Sequence, residues 1–184
     1  MAIPLESLLR PSPSLDEPLD MLEACHGRIE AQCRTLERMI GHIDRHGVDT
    51  AAKEAAAGII RYFDLAGENH HLDEEQDLFP SLRACSGSHS LQIEALLAAL
   101  LMEHQRMRVA WRQQLRPQLA DVCKGEPSLQ QELVLYFTRL YRAHIEREEA
   151  ELLPLARTIL QPEVLARMSG HMVERRRSGS DSVE

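Results

Sequence analysis

Aromatic side chains are scarce in this chain, at 4%, so Leu, Ile, Ala, Val and Met must do most of the core filling. Long apolar runs are missing: none approaches the roughly 20 residues that a bilayer-spanning helix needs. The N-terminus, MAIPLESLLRPSPSLDEP, lacks the basic region and apolar stretch of a secretory signal, so a cytoplasmic location is expected. Positive charge is in deficit. Lys and Arg number 21 against 29 Asp and Glu, a formal charge of -8, which argues against a phosphate backbone as partner. The four cysteines, Cys25, Cys33, Cys85 and Cys123, form no C-x-x-C pair and follow no zinc or disulfide spacing. They read as reduced thiols in a core or at element ends. Strand alternation and short internal repeats are also absent, and no flavin, haem or redox-thiol motif is found.

What remains is helical. Apolar positions Leu19, Leu22, Ile29, Leu36, Ile40 and Ile43 recur at steps of three and four, predicting a helix over about 18–46. Gly47 is its stop and Asp49 the N-cap of the next helix, about 50–79. There Gly58 and Gly67 each cost about 1 kcal/mol relative to Ala, and Pro80 should kink or end the helix. A third helix is expected over about 90–116. Ser128 and Gln131 make a capping box for a fourth over about 129–153, which Pro154 interrupts. A short fifth helix follows near 162–175, and RRRSGSDSVE should be a disordered end. The expected fold is all-α: an antiparallel up-down four-helix bundle over 18–160 with an N-terminal arm at 1–17 and a short C-terminal helix and tail at 161–184.

The stretch ENHHLDEEQDLFP, residues 68–80, puts two histidines and four acids into the nine residues from His70 to Leu78. Residues three, four and seven apart share a helix side. His26 falls on the apolar row of Leu19, Leu22, Ile29, Cys33 and Leu36. His104 falls on that of Leu97, Leu100, Leu101, Met107 and Trp111. His144 follows Phe137, Leu140 and Tyr141, and its row continues to Glu148 and Leu152. His70 shares a row with Phe63, Ala66, Gly67, Glu74 and Leu78, whereas His71 goes with Asp64, Glu68 and Glu75. His70 and Glu74 are therefore expected inside, His71 and Glu75 outside. His42, His46, His89 and His171 fall elsewhere and read as solvated.

Height agrees with face. His26 lies 21 residues before Gly47 and His70 lies 23 after it; His70 and His104 each lie 17 from Gly87; His104 lies 21 before Gly125 and His144 lies 19 after it. At 1.5 Å per helical residue the mismatch across each antiparallel pair is about 3 Å or less. Four core histidines from four helices arrive at one level, two of them followed by Glu at i+4. Burying four imidazoles and two carboxylates without partners is expensive. A metal satisfies His26, His70, Glu74, His104, His144 and Glu148 together, and this nitrogen-and-oxygen set suits iron, with manganese and zinc as other candidates. The competing reading is a polar core network without metal. Asp73, Glu75 and Asp77 are expected on an exposed face, although Asp73 and Asp77 border the inward row, from which they could hydrogen-bond the ligands.

The chain resembles the hemerythrin-like (HHE cation-binding) domains through HGRIE, HHLDEEQDLFP, EHQRMR and HIEREEAELLP, over about 18–160. The resemblance implies a non-haem di-iron centre bridged by carboxylates, with the same six residues as ligands. Glu149 is the alternative to Glu148, which the row from Phe137 favours. Oxygen-carrying members have a second histidine four residues after the third-helix one. Here that position is Arg108, which cannot bind a metal as a cation and could pair with Glu74, Glu148 or another acid. Two carboxylates and four histidines still offer two histidines to each of two metals; a single metal is the alternative. The expected function is a non-haem iron protein that senses or binds oxygen, nitric oxide, peroxide or iron, as a monomer or homodimer without nucleic-acid or membrane partners. A di-iron oxidoreductase acting on peroxide or oxygen, and a partner-binding bundle with a stabilising metal, are the competing functions, so enzymatic turnover stays open.

Overall fold

A computed structural model describes residues 17–85, 87 and 90–180. The expected arm, apart from Glu17, lies outside the described residues, as do His89 and the last four positions. Among the described residues the secondary structure is helical, without strands. Five helices follow in order: α1 (Pro18–His46), α2 (50–85), α3 (90–124), α4 (131–159) and α5 (Pro162–Ser180).

Turn chemistry sets the first boundary as the sequence indicates. Gly47 adopts φ 71°, open to glycine but costly for other residues. The Asp49 side chain then accepts from Ala52 N at 2.9 Å, capping α2. The expected capping box before α4 does not form. That helix starts at Gln131 without a side-chain cap. Ser128 instead donates to the Gln118 carbonyl at 3.3 Å, and Gln130 N–H donates to Gln118 Oε1 at 2.9 Å. The connection is fastened to α3 rather than to the first turn of α4.

Ion pairs and ring contacts trace antiparallel neighbours. Between α2 and α3 they run Asp64–Arg116, Glu75–Arg108 and Arg83–Glu94. Between α3 and α4 they run Glu103–Arg147, then Trp111–Phe137. Between α1 and α4 they run Glu23–Arg157, then Glu37–Arg142. In each series one residue number rises while the other falls, so α1 to α4 form an up-down bundle. Helix α5 lies outside it, seating Met168 and Met172 against Leu19, Leu22 and Leu82.

The core has two apolar lobes. One contains Ile29, Leu36, Ile59, Phe63, Met107, Trp111, Phe137 and Tyr141; the other contains Leu22, Leu78, Phe79, Leu97, Leu100 and Leu152. Few as they are, four of the aromatics gather in the first lobe. Phe63 meets Trp111, Phe137 and Tyr141 at centroid distances of 5.0–5.3 Å. Gly67 makes room: a Cβ there would sit 3.1 Å from the Phe63 ring. The glycine that weakens helix propensity thus admits the ring that anchors the tertiary packing. Between the lobes lies a buried polar layer, which contains every histidine expected inside.

Candidate metal centre

Helices α2 and α4 carry one pattern twice. His70, Glu74, Glu75, Leu78 and Pro80 match His144, Glu148, Glu149, Leu152 and Pro154 position for position. The sequence reading found no short repeat because little else in the two helices is alike. The shared prolines have a structural consequence. Proline lacks an N–H and collides with the carbonyl four residues back. Both helices continue past it by widening into a π turn just upstream, at Glu74–Leu78 and Glu148–Leu152. Phe79 N–H donates to the Glu74 carbonyl and Leu153 N–H to the Glu148 carbonyl, each five residues back. The same device carries α3 through Pro117, with Arg116 N–H on the Trp111 carbonyl after the π turn Ala110–Leu115. The expected breaks at Pro80 and Pro154 are therefore local widenings, and Glu74 and Glu148 each open one.

A further π turn, Tyr62–Gly67, precedes the opening histidines of α2. The inserted residue rotates everything downstream by about 100°, one residue's share of a 3.6-residue turn. The row counted from Phe63 therefore shifts from His70 towards His71, and both rings face inward. This corrects the expectation that His71 points outward: it is 2% exposed. The signal that could have shown it is Gly67, a poor helix former at the end of the widened turn.

The six expected residues meet at one level, all buried. His26 and His70 pack edge to face at 5.1 Å between centroids; His104 and His144 do so at 4.7 Å. Each inner carboxylate reaches one histidine of each pair. Glu148 places its two oxygens 3.1 Å from His26 Nε2 and 3.1 Å from His144 Nε2. Glu74 places its oxygens 3.4 Å from His70 Nε2 and 3.3 Å from His104 Nε2. Among the described residues, potential ligand atoms fall within 4.8 Å of one another in three groups: His26, His70, Glu74 and Glu148; Glu74, His104, His144 and Glu148; and His71, His104 and His144.

Outer carboxylates fix the rings from behind. Glu149 accepts from His26 Nδ1 at 3.0 Å, Glu75 from His104 Nδ1 at 2.6 Å, and Glu103 from His144 Nδ1 at 2.9 Å. Glu149 thus stands on the far side of His26, its side chain 47% exposed, while Glu148 is fully buried. Glu75, expected on the surface, is partly covered and also accepts from Arg108 Nη2 at 2.7 Å; Arg108 Nε faces Glu68 at 3.6 Å. Arg108 therefore turns away from Glu74 and Glu148. A carboxylate only accepts, so each anchored Nδ1 carries a proton and Nε2 is the ring nitrogen turned inward. His104 Nε2 and His144 Nε2 stand 3.0 Å apart.

Donors are missing at the centre. His26 Nε2, both nitrogens of His70, His71 Nε2, Glu74 Oε2 and both oxygens of Glu148 are buried without a hydrogen-bond partner. Each such atom costs about 1–3 kcal/mol when left so. Protons offer one remedy. Burial lowers the His144 imidazolium, but Glu148 and Glu103 outweigh it and raise the group to about 10. Burial is likewise outweighed at His26 by Glu148, and at His104 by Glu74 and Glu75, and both are raised. Burial and the nearby Glu148 push Glu74 up to about 7. Burial would raise Glu148 too, but His144, His26 and His70 hold it well below the usual carboxylate range. His70 and His71 are lowered well below 6.5, chiefly by burial. Protons therefore leave these two rings unmet, whereas divalent cations would satisfy the whole set.

Asp73 and Asp77, expected on an exposed face, are buried, and their hydrogen bonds lead away from the ligand set. They face α5, where Arg175 and Arg176 donate to Asp73, Arg175 reaches Asp77 at 2.8 Å, and His171 Nδ1 lies 2.6 Å from Asp77. The basic segment read as a loose end is helical to Ser180 and engaged within the chain. Of the other outlying histidines, His42 bonds Asp49 at 2.9 Å and His46 packs beside it. Cys25 and Cys33 are buried thiols; burial raises Cys25 and pushes Cys33 up to about 12, so neither offers a thiolate near neutral pH.

The sequence pattern of the hemerythrin HHE cation binding domain matches residues 17–156. A Haemophilus influenzae protein described as uncharacterized is 30% identical over 162 residues, with 88% of this chain and 91% of that protein covered. Taken with the histidine and glutamate layer, these matches place the chain in the hemerythrin HHE cation-binding domain family.

Proposed function

We propose that the chain binds two iron ions between α1, α2, α3 and α4 and uses them to sense or bind a small oxidant or diatomic molecule. His26 and His70 would serve one ion, His104 and His144 the other, and Glu74 and Glu148 both. The observation that supports this is the membership of Glu74 and Glu148 in both four-residue groups. Each offers one oxygen to each histidine pair, the arrangement expected of bridging carboxylates. Iron bound there supplies one-electron redox chemistry and affinity for diatomic ligands. The chain's own part is orientation. Glu149, Glu75 and Glu103 hold three imidazoles with Nε2 inward, and the two apolar lobes exclude bulk water. A cleft of about 590 Å³ between α1 and α4, lined by His26, Gly27, Arg142, Ile145, Glu146 and Glu149, brings small molecules to the edge of the layer.

Elemental analysis of protein purified without added metal, with an optical spectrum in air, tests the reading. About two irons per chain with charge-transfer bands of a bridged ferric pair are expected. One ion with a featureless spectrum, or a well-folded protein without metal, would overturn it. Sensing further requires that peroxide or nitric oxide change amide exchange in the helices without many turnovers per chain. Sustained consumption of peroxide would assign the site to an oxidoreductase instead.

A further inference from the structure

We propose that His71 is an additional metal ligand, completing with His104 and His144 a three-nitrogen face on one of the two ion positions and standing in for the histidine that Arg108 replaces. This rests on the two-ion reading above. Three observations carry it, and a fourth sets what binding must change. His71 is fully enclosed, and its Nε2 has no hydrogen-bond partner. A ring nitrogen of His71 lies within 4.8 Å of those of His104 and His144. Its ring stacks on His104 at 4.1 Å, so one of the two rings must turn for both in-plane lone pairs to meet one ion. Arg108, where a second α3 histidine would stand, is engaged by Glu75 and Glu68 and supplies nothing to the centre.

The matched halves sharpen the point. His71 corresponds in α4 to Ile145, so the extra nitrogen exists on one side only. The two positions are therefore unequal. One has His26 and His70 with two carboxylates. The other has His71, His104 and His144 with the same carboxylates. A buried histidine serving only as packing would accept a hydrogen bond or present carbon edges inward. An unpartnered nitrogen beside two others is what a ligand shows in the absence of its metal.

The test uses the full chain, stripped by chelator and titrated anaerobically with Co(II), followed by elemental analysis and visible absorption. The wild type should take two ions with distinct ligand-field bands. His71→Leu should keep the first ion and weaken the second by about 10- to 100-fold or more, since losing even an outer partner of a ligand costs that much. The bands of the second ion should also intensify as its coordination number drops. His71→Gln, which keeps volume and polarity, carries the measurement if the leucine variant does not fold. Two ions bound by both variants with wild-type affinities and spectra would overturn the His71 assignment and leave the two-ion reading intact. Equal weakening of both ions would also overturn it, marking His71 as packing. Fewer than two ions on the wild type would overturn both.

Discussion

Glu148 sits at the centre of the bundle with two imidazole nitrogens 3.1 Å away and no hydrogen-bond partner on either oxygen. Such a group is stabilised only by positive charge, from protons or from a metal. The two compete, which gives the metal-free chain a characteristic pH dependence. His144 is raised to about 10 when folded. Its contribution is fully present below the unfolded pKa of about 6.5 and is lost as pH rises through the folded value. His70 and His71 are lowered. Their contribution is present above about 6.5 and is lost as pH falls towards their folded values. Thermal unfolding of the chelated protein should therefore show maximal stability near neutrality and a clear decline by pH 10. Metal binding at pH 7 should release protons, because the ions need bare nitrogens. Calorimetry in two buffers of different ionisation enthalpy reads that release. A zero proton count would show that the empty site is not protonated.

Prolines shape the helices that carry the histidine and glutamate layer. Pro80 and Pro154 force the π turns that begin at Glu74 and Glu148. Pro154→Ala removes a residue that costs about 3 kcal/mol more than Ala in a helix interior and lets the turn close to ordinary α geometry. The metal-free variant should melt at or above the wild-type temperature, while metal affinity falls by about tenfold or more as Glu148 rotates. Unchanged affinity would show that the π turn does not position Glu148. Helix α5 offers a second test. Asp73 is fully buried and is held by Arg175 and Arg176. Replacing both arginines with Ala leaves that carboxyl, already raised by burial, without its cations. The loss should be about 3 kcal/mol or less, since the arginines are themselves partly solvated. Hydrogen exchange should quicken in α5 before it does in α1 to α4.

At the scale of the whole molecule, two apolar lobes flank the polar layer. Apolar packing in the two lobes does not involve the layer, so chelation is expected to leave far-UV dichroism unchanged. Metal should still stabilise by mass action: free ion at about 100 times Kd adds about 2.7 kcal/mol. For a domain of this size that raises the melting temperature by about 5–11 °C. Glu74→Ala, which removes a carboxylate common to both four-residue groups, should abolish most of that increment. An identical melting shift in the variant would remove Glu74 from the ligand set.

The sequence by itself determined the helices and, outside the break in α2, their inward rows. Apolar steps of three and four, Gly47 and Asp49 mark helix ends, and the level of His26, His70, His104 and His144 follows from rise per residue and turn positions. Local periodicity suffices there because an α-helix repeats the same geometry at every residue. Only the tertiary structure decided what depends on a break in that repeat. The π turn over Tyr62–Gly67 moved the face by one residue and brought His71 inside. The turns before Pro80, Pro117 and Pro154 kept helices running where a proline reads as a stop. The roles of Glu75, Glu103 and Arg175 were likewise out of reach, because a charged residue on a helix edge is solvated or paired according to which neighbour packs beside it. That neighbour is fixed by the assembly of the bundle and not by the helix that carries the charge.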